Sequence, residues 1–276
     1  MSARIDATFD RLRAAGRAGL VAYVTAGDPD LRRSAAIVEA LESGGADVIE
    51  LGVPFSDPLA DGPVIQRASE RALRAGATLE RVLALAAEVR PRVRAPLVLF
   101  TYANPVVRLG VERFAAAAAE AGIDGVLVVD LPVDEHEAQA LRDRLQIRDI
   151  ASIWLISPTT TVARIARAAE LGRGFLYAIS RLGVTGPRDR LAADAAEVVG
   201  RIRTVTRLPV ALGFGISTPE QVAEAARLAD AAVVGSALVA VIERHAAAAD
   251  LPARVAEAVR RLRAGCETAA ARVEPR

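Results

Sequence analysis

Two acidic residues, Glu50 and Asp61, stand near the two ends of the segment 50–63 and could carry out acid–base chemistry. Glu50 follows the apolar residues Val48 and Ile49, and a carboxyl group in apolar surroundings has a raised pKa that suits it to proton transfer. Asp61 comes eleven residues later, in a part of the segment that prolines stiffen. The alternative for each is structural: a hydrogen-bonded strand glutamate and a turn aspartate beside a glycine.

The basic residues of the chain limit the chemistry further, because all 35 are arginine and none is lysine. Pyridoxal-phosphate enzymes and lysine-dependent aldolases both need a lysine amine as covalent partner. Cys266 is the only cysteine, which excludes an intrachain disulfide and a thiolate metal cage. His136 and His245 lie in polar, helix-like contexts and offer no convincing base for a serine or cysteine triad. Carbon–carbon bond chemistry here would have to use carboxyl groups and oriented dipoles.

The charge and hydropathy of the chain exclude some classes of partner. Its 276 residues are 52% hydrophobic and 25% charged, a composition typical of a globular protein with a sizeable core. The net charge is +1 and no basic stripe is interleaved with aromatic residues, so a nucleic-acid partner is not expected. No segment approaches the ~20 apolar residues that span a bilayer, and the N-terminus has no apolar signal core. We therefore expect a cytoplasmic protein that binds neither nucleic acid nor membrane.

Eight short apolar segments alternate with helical ones, which predicts an α/β fold with a parallel sheet covered on both faces. An open doubly wound sheet would show the same alternation. However, no Gly-x-Gly-x-x-Gly follows the first strand, and the glycines cluster after strands six, seven and eight. We therefore predict one (β/α)8 TIM barrel domain over 1–276, with an N-terminal helix over 1–16 at its lower face and a frayed tail over 267–276. The predicted strands are 20–24, 47–51, 96–100, 125–129, 152–156, 175–179, 209–212 and 231–234.

Several helix ends can be predicted from capping residues. The segment 31–43 has apolar residues at helical spacing, and Thr218 before Pro219 is typical of a helix start. Gly122 and Gly172 each follow a helical segment, where a left-handed residue commonly ends the helix.

The carboxyl ends of the strands are where a barrel gathers its catalytic groups. Glu50 ends the second strand and Tyr177 lies in the sixth. The glycines after the last three strands, with Ser236 at the start of a helix, could bind a phosphate through backbone N–H groups without a lysine. Tight turns would use the same glycines, which are Gly186, Gly213, Gly215 and Gly235.

Six sequence blocks, in order along nearly the whole chain, make it resemble the alpha subunits of tryptophan synthase. They are ELGVPFSDPLADGP (50–63), TYANP (101–105), DLP (130–132), SRLGVTG (180–186), GFGIS (213–217) and GSA (235–237). The resemblance implies a barrel enzyme of tryptophan biosynthesis. This enzyme would cleave indole-3-glycerol phosphate to indole and D-glyceraldehyde 3-phosphate in a retro-aldol reaction that uses neither a Schiff base nor a metal.

The resemblance also implies a role for each catalytic residue. Glu50 would move a proton between the glycerol hydroxyl and indole C3, and Asp61 would hold the indole N–H and stabilise the positive charge that develops there. Tyr177 would position the glutamate, and Thr185 would reach back to Asp61 to close the site. Gly186, Gly215, Gly235 and Ser236 would bind the phosphate. The implied indole pocket consists of Tyr23, Ile65, Phe100, Leu127, Val129, Leu155 and Phe214.

By the same resemblance, the chain would need no cofactor of its own and would pass indole to a beta subunit in an α2β2 complex. Pyridoxal phosphate is expected only in that partner. Pro54, Asp57 and Pro58, with the loop 182–190, would form the docking surface. Three alternatives stay open at this stage: a stand-alone lyase that releases free indole, a non-catalytic activator of a beta subunit, and another phosphate-binding barrel enzyme.

Overall fold

The computed structural model describes residues 3–179, 188–213 and 215–270, and within them eight parallel strands close into a barrel. Each strand pairs with its neighbours in sequence order, and β8 pairs with β1. The prediction of a TIM barrel is confirmed, and the open doubly wound alternative is wrong. The strands are β1 Gly19–Thr25, β2 Val48–Gly52, β3 Leu97–Thr101, β4 Gly125–Val128, β5 Ala151–Ile156, β6 Leu176–Ile179, β7 Val210–Gly213 and β8 Ala231–Val234.

Twelve helices within the described residues surround the barrel or close its end, and α12 runs beyond the predicted start of the tail at 267. They are α1 Ala3–Ala14, α2 Leu31–Ser43, α3 Pro63–Arg74, α4 Leu79–Val89, α5 Ala103–Leu109, α6 Val111–Glu120, α7 His136–Ile147, α8 Val162–Leu171, α9 Arg188–Arg203, α10 Pro219–Leu228, α11 Ser236–Arg244 and α12 Leu251–Ala270. No helix in the described part of the chain is long and apolar enough to cross a membrane.

Successive strand residues point alternately into the barrel and out towards the helices, which explains the continuous apolar character of the strands. On β2, Val48 packs in the interior, whereas Ile49 and Leu51 pack under the helices. Ile5 and Phe9 of α1 join the interior cluster. The predicted N-terminal helix is therefore confirmed at one end of the barrel, which leaves the other end available for a site.

Three aspartates fasten the amino ends of the strands, each one residue before an even-numbered strand. The carboxylate of Asp47 accepts the N–H of Leu20, that of Asp124 accepts the N–H of Leu97, and that of Asp230 accepts the N–H of Val210, over 2.7 to 3.0 Å. Each carboxylate also pairs with at least one arginine. A buried N–H left without an acceptor costs about 1–3 kcal/mol, so these bonds stabilise the end opposite the site.

The predicted helix ends are mostly confirmed. The helix over 31–43 has the predicted bounds, and Thr218 forms a capping box with Gln221. Gly122 has the left-handed φ of 70° that was predicted. For Gly172 the prediction is wrong, because its φ is −82°. A Cβ there would lie 2.9 Å from Cδ1 of Trp154, so glycine is needed for close packing.

Candidate active site

Glu50 lies on β2 with its carboxyl group inside the barrel, opposite Tyr23 of β1 in the strand register. The residue is completely buried, and neither carboxyl oxygen has a hydrogen-bond partner among the described residues. Burial raises the pKa of this carboxyl to about 8, as the apolar surroundings in the sequence predicted. A buried polar group without a partner is rare in folded proteins. Here its raised pKa makes it a neutral acid at pH 7 that can exchange a proton near that pH.

The raised pKa predicts how stability changes with pH. The folded pKa of Glu50 is about 8 and the unfolded value is 4.5, so the folded protein binds more protons within this window. The contribution of Glu50 to stability is therefore full below pH 4.5 and is lost as pH rises to 8. Between pH 5 and pH 8, we expect the free energy of unfolding of the wild type to fall by on the order of 3 kcal/mol more than that of Glu50→Gln. Urea unfolding at four pH values measures this, and equal pH dependences would contradict it.

Tyr23 and Tyr177 both interact electrostatically with the Glu50 carboxyl. Tyr177, on β6, has a pKa raised first by burial and then by the charges of Glu50, Tyr23 and Asp61. Tyr177 therefore stays protonated and can donate a hydrogen bond. A Cβ on Gly213 would lie 2.8 Å from the Tyr177 hydroxyl oxygen, so this glycine makes room for the tyrosine.

Asp61 is half-buried in the loop between β2 and α3 and is held by Tyr102. The Tyr102 hydroxyl donates to Oδ2 of Asp61 over 2.9 Å and accepts the N–H of Ala60 over 3.1 Å. Burial raises the pKa of Asp61, and the hydrogen bond from Tyr102 opposes that rise. The backbone carbonyl of Asp61 accepts a further bond from Gln66 at 2.9 Å. Side-chain and backbone contacts thus position this carboxyl group.

Tyr102 is a site residue to which no role was assigned from the sequence. It follows β3 directly, and its ring packs against Phe55 with centroids 4.9 Å apart. It is 4% exposed, and its hydroxyl reaches the loop that carries Asp61. The signal that could have found it is a polar aromatic residue at a strand end, inside one of the six sequence blocks.

The residues predicted for the indole pocket fall into two apolar clusters that share Phe100. Tyr23, Ile65 and Phe100 pack together, and the Tyr23 and Phe100 rings meet edge to face at 5.4 Å. Leu127, Val129 and Leu155 belong with Phe100 and Tyr177 to the interior cluster. Val129 and Leu155 also border a cavity of about 230 Å³ beside Trp154. Phe214 lies outside the described residues.

Two of the predicted phosphate residues, Gly235 and Ser236, lie where β8 leads into α11. Gly235 is the N-cap of this helix and Ser236 is its first residue. Backbone N–H groups in the first turn of a helix lack acceptors within the helix and attract anions. Gly215 has a left-handed φ of 74°. Thr185 and Gly186 lie outside the described residues, as does 182–187 of the predicted docking loop.

The loop before Asp61 presents one prominent apolar side chain. Leu59 is 94% exposed, and Asp57 beside it is also exposed. Pro58 is half-buried, whereas Pro54 is buried. The exposed part of this loop is 56–60, in which only Pro58 is half-buried.

Comparison with known proteins decides the family. The family model described as "Tryptophan synthase alpha chain" matches residues 9–270. The chain belongs to this family. It is 48% identical to the tryptophan synthase alpha chain of Solibacter usitatus over 262 residues, which are 95% of this chain and 97% of that protein.

Solved structures agree in fold over almost the whole chain. The tryptophan synthase alpha subunit of Legionella pneumophila is 36% identical with a TM-score of 0.88, over 96% of this chain and 98% of that one. A chain of Mycobacterium tuberculosis tryptophan synthase, in an aminoacrylate-bound form, is 38% identical with a TM-score of 0.85, over 95% and 99%.

Membership of the family gives the reaction. The chain is a carbon–carbon lyase of tryptophan biosynthesis that cleaves indole-3-glycerol phosphate to indole and D-glyceraldehyde 3-phosphate. The comparisons do not favour the three alternatives of a stand-alone lyase, a non-catalytic activator and another phosphate-binding barrel enzyme. Within the described residues, no group of three or more His, Cys, Asp or Glu side chains could hold a metal ion.

Proposed function

We propose that Glu50 is the proton shuttle of this lyase and that Asp61 is its charge partner. The observation that carries the proposal is the buried Glu50 carboxyl, which has a pKa of about 8 and no hydrogen-bond partner among the described residues. An acid–base catalyst works best when its pKa lies near the operating pH. A structural carboxyl group at this depth would instead be paired.

The cleavage then takes two proton transfers through one carboxyl group. Neutral Glu50 gives its proton to indole C3, which forms a C3–H bond and leaves a positive charge on the ring nitrogen. The Glu50 carboxylate then removes the proton of the glycerol hydroxyl. As that oxygen becomes a carbonyl, the bond between C3 and the glycerol carbon breaks, and its electron pair returns to the ring. Indole and D-glyceraldehyde 3-phosphate form, and Glu50 regains its proton.

Asp61 and Tyr177 assist the proton transfers by Glu50 in this mechanism. The Asp61 carboxylate accepts the indole N–H, and its charge stabilises the cation that forms after protonation of C3. Its position is supported by the bond from Tyr102. Tyr177, kept protonated by its raised pKa, positions the Glu50 carboxyl and does not carry the proton.

The phosphate end of the substrate would bind at the last strands of the barrel. Gly235 and Ser236, at the N-terminus of α11, supply backbone N–H groups and the positive end of the helix dipole. Gly186 and Gly215 complete this site in our proposal, and Thr185 closes it towards Asp61.

We further propose that the chain needs no cofactor of its own. The absence of lysine supports this, because the chain cannot form the internal Schiff base that pyridoxal phosphate requires. Pyridoxal phosphate would belong to the partner alone. A cytoplasmic location follows in our proposal from the anionic phosphate ester that the enzyme consumes, and the unpaired Cys266 is typical of a reducing compartment.

The partner in our proposal is the beta subunit of tryptophan synthase, in an α2β2 complex that receives indole. The exposed Leu59 beside Asp57 and Pro58 supports a docking surface on the active-site loop. Burial of such an exposed leucine by a partner lowers the free energy of the complex.

Indole release from indole-3-glycerol phosphate, followed by absorbance with and without a beta subunit, tests the proposal. We expect turnover by the chain alone and a higher rate with the partner. Leu59→Ser should raise the beta-subunit concentration needed for half-maximal activation about tenfold, because burial of a leucine contributes about 1.5–3 kcal/mol. The rate of the isolated chain should be unchanged. The matched control is Ile147→Ser, which replaces a side chain 73% exposed at the end of α7. No indole release would refute the function, and no activation would refute the partner.

A further inference from the structure

Four charged residues join three elements around the active site, and we call them the α3–α11 clamp: Asp28, Arg67, Arg71 and Glu243. Arg71 of α3 grips Asp28, which follows β1, through two bonds of 2.8 and 2.9 Å. Its third contact is Nη1 to Oε1 of Glu243 on α11, at 2.8 Å. Arg67, one turn earlier on α3, makes two bonds of 2.8 and 2.9 Å to the same Glu243.

The clamp is anchored in the protein interior. The Asp28 side chain is fully buried, and Arg71 is only 23% exposed. Arg67 binds Glu243 and Arg71 binds Asp28 through two bonds each, which is the bidentate geometry in which arginine–carboxylate pairs are strongest. Hydrogen bonds from Arg67 and Arg71 lower the pKa of Glu243 to about 2, so the residue stays ionised across the physiological range.

The two helices that the clamp joins carry different parts of the proposed site. Helix α3 begins at Pro63, two residues after Asp61, and includes Ile65 of the indole pocket. Helix α11 begins at Ser236 of the phosphate site. Since an α-helix rises 1.5 Å per residue, Glu243 lies roughly 10 Å along α11 from Ser236. A rigid helix held at one end transmits that restraint to the other.

An apolar contact completes the junction between the helices. Ala68 of α3 and Val239 of α11 pack against Tyr23 of β1, and all three are buried. This contact fixes how closely the helices approach. The clamp adds a charged restraint further along α11, so that together the two contacts fix the relative orientation of the helices.

We propose that Glu243 is a positioning residue that, through the clamp, sets the separation between the indole pocket with Asp61 and the phosphate site at α11. This inference rests on the proposed function of both sites. A substrate that bridges two subsites gains affinity only when their spacing matches its length. A misplacement of about 1 Å can cost about 100-fold in rate. Loss of Glu243 should therefore affect bridging ligands and spare short ones.

The test compares three probes with Glu243→Gln and the wild type by calorimetry. The probes are indole, inorganic phosphate and a stable substrate analogue in which indole and phosphate are joined by a saturated chain. We expect unchanged dissociation constants for indole and phosphate, and an analogue that binds about tenfold more weakly. KM for indole-3-glycerol phosphate should rise by a similar factor. The control is Glu70→Gln, which breaks the exposed pair with Arg74 on the same helix.

Two outcomes would overturn the proposal. One is an analogue affinity that equals that of the wild type, and the other is a parallel loss of all three affinities together with Tm, which indicates a purely structural role. If Glu243→Gln does not fold, Arg67→Met replaces it in the test. This variant removes only the half-exposed pair between Arg67 and Glu243 and keeps the bond from Arg71 to Glu243. It should weaken the analogue alone, about threefold. A wild type that fails to bind the analogue would refute the proposed function instead.

Discussion

Replacing Glu50 with glutamine is expected to lower kcat for indole release by about 1,000-fold, within the range that general acid–base catalysis supplies. Glutamine keeps the shape of the side chain but can neither give a proton to indole C3 nor take one from the hydroxyl. The loss should appear in kcat more than in KM, because the lost proton transfers belong to the transition state. The fold should be retained, since the amide is neutral, as the buried Glu50 carboxyl is at pH 7.

The pH dependence of the wild type gives an independent check on the same residue. In the proposed mechanism the first step uses neutral Glu50, so kcat/KM should fall above pH 8, where the free carboxyl ionises. The matched control is Asp57→Asn, which removes an exposed acid from the same loop and should leave the rate of the isolated chain unchanged. If Glu50→Gln cleaved the substrate at the wild-type rate while phosphate binding stayed normal, the shuttle would be a different group.

The position of Glu50 could be predicted from local sequence because its cause is local. Residues 48 and 50 of one strand share a face, and parallel strands buried on both sides leave a carboxyl group on the inner face without water. The barrel rule then places the end of that strand at the mouth. Burial and the raised pKa follow from these two steps.

Contacts between distant segments could not be predicted in the same way. Tyr102 meets Asp61 across 41 residues of sequence, and Arg71 meets Glu243 across 172. Both contacts depend on the path of a loop or the packing of helices, which periodicity does not encode. The prediction for Gly172 failed for a related reason, since this glycine ends α8 and its close neighbour Trp154 lies on β5. The helices, the strands and the residues at the strand ends could be predicted from sequence patterns, whereas the pairing of distant side chains could be seen only in the structure.

Asp61 illustrates this division, because its loop position is visible in the sequence and its partner is not. The Asp61 carboxyl can face a cation only if the loop 53–62 is held in place. The Tyr102 hydroxyl holds this loop through its hydrogen bonds with the Ala60 N–H and the Asp61 carboxyl. A catalytic carboxylate held before the reaction needs no reorganisation as charge develops. The raised pKa of Asp61, caused by burial, means that its charge is poorly solvated and acts strongly on a nearby cation.

Asp61→Asn should accordingly lower kcat by about 100-fold, the magnitude lost when one preorganised electrostatic contact to a transition state is removed. Steady-state indole release measures it. Asparagine can still accept the indole N–H, so the analogue should bind within about threefold of the wild type. Tyr102→Phe removes the hydrogen bond to Asp61. It should lower kcat about tenfold in the wild-type background but little in the Asp61→Asn background, because the tyrosine acts through that carboxylate. An unchanged kcat in Asp61→Asn would mean that a group other than Asp61 stabilises the indole cation. Additive losses in the double variant would show that Tyr102 acts independently of Asp61.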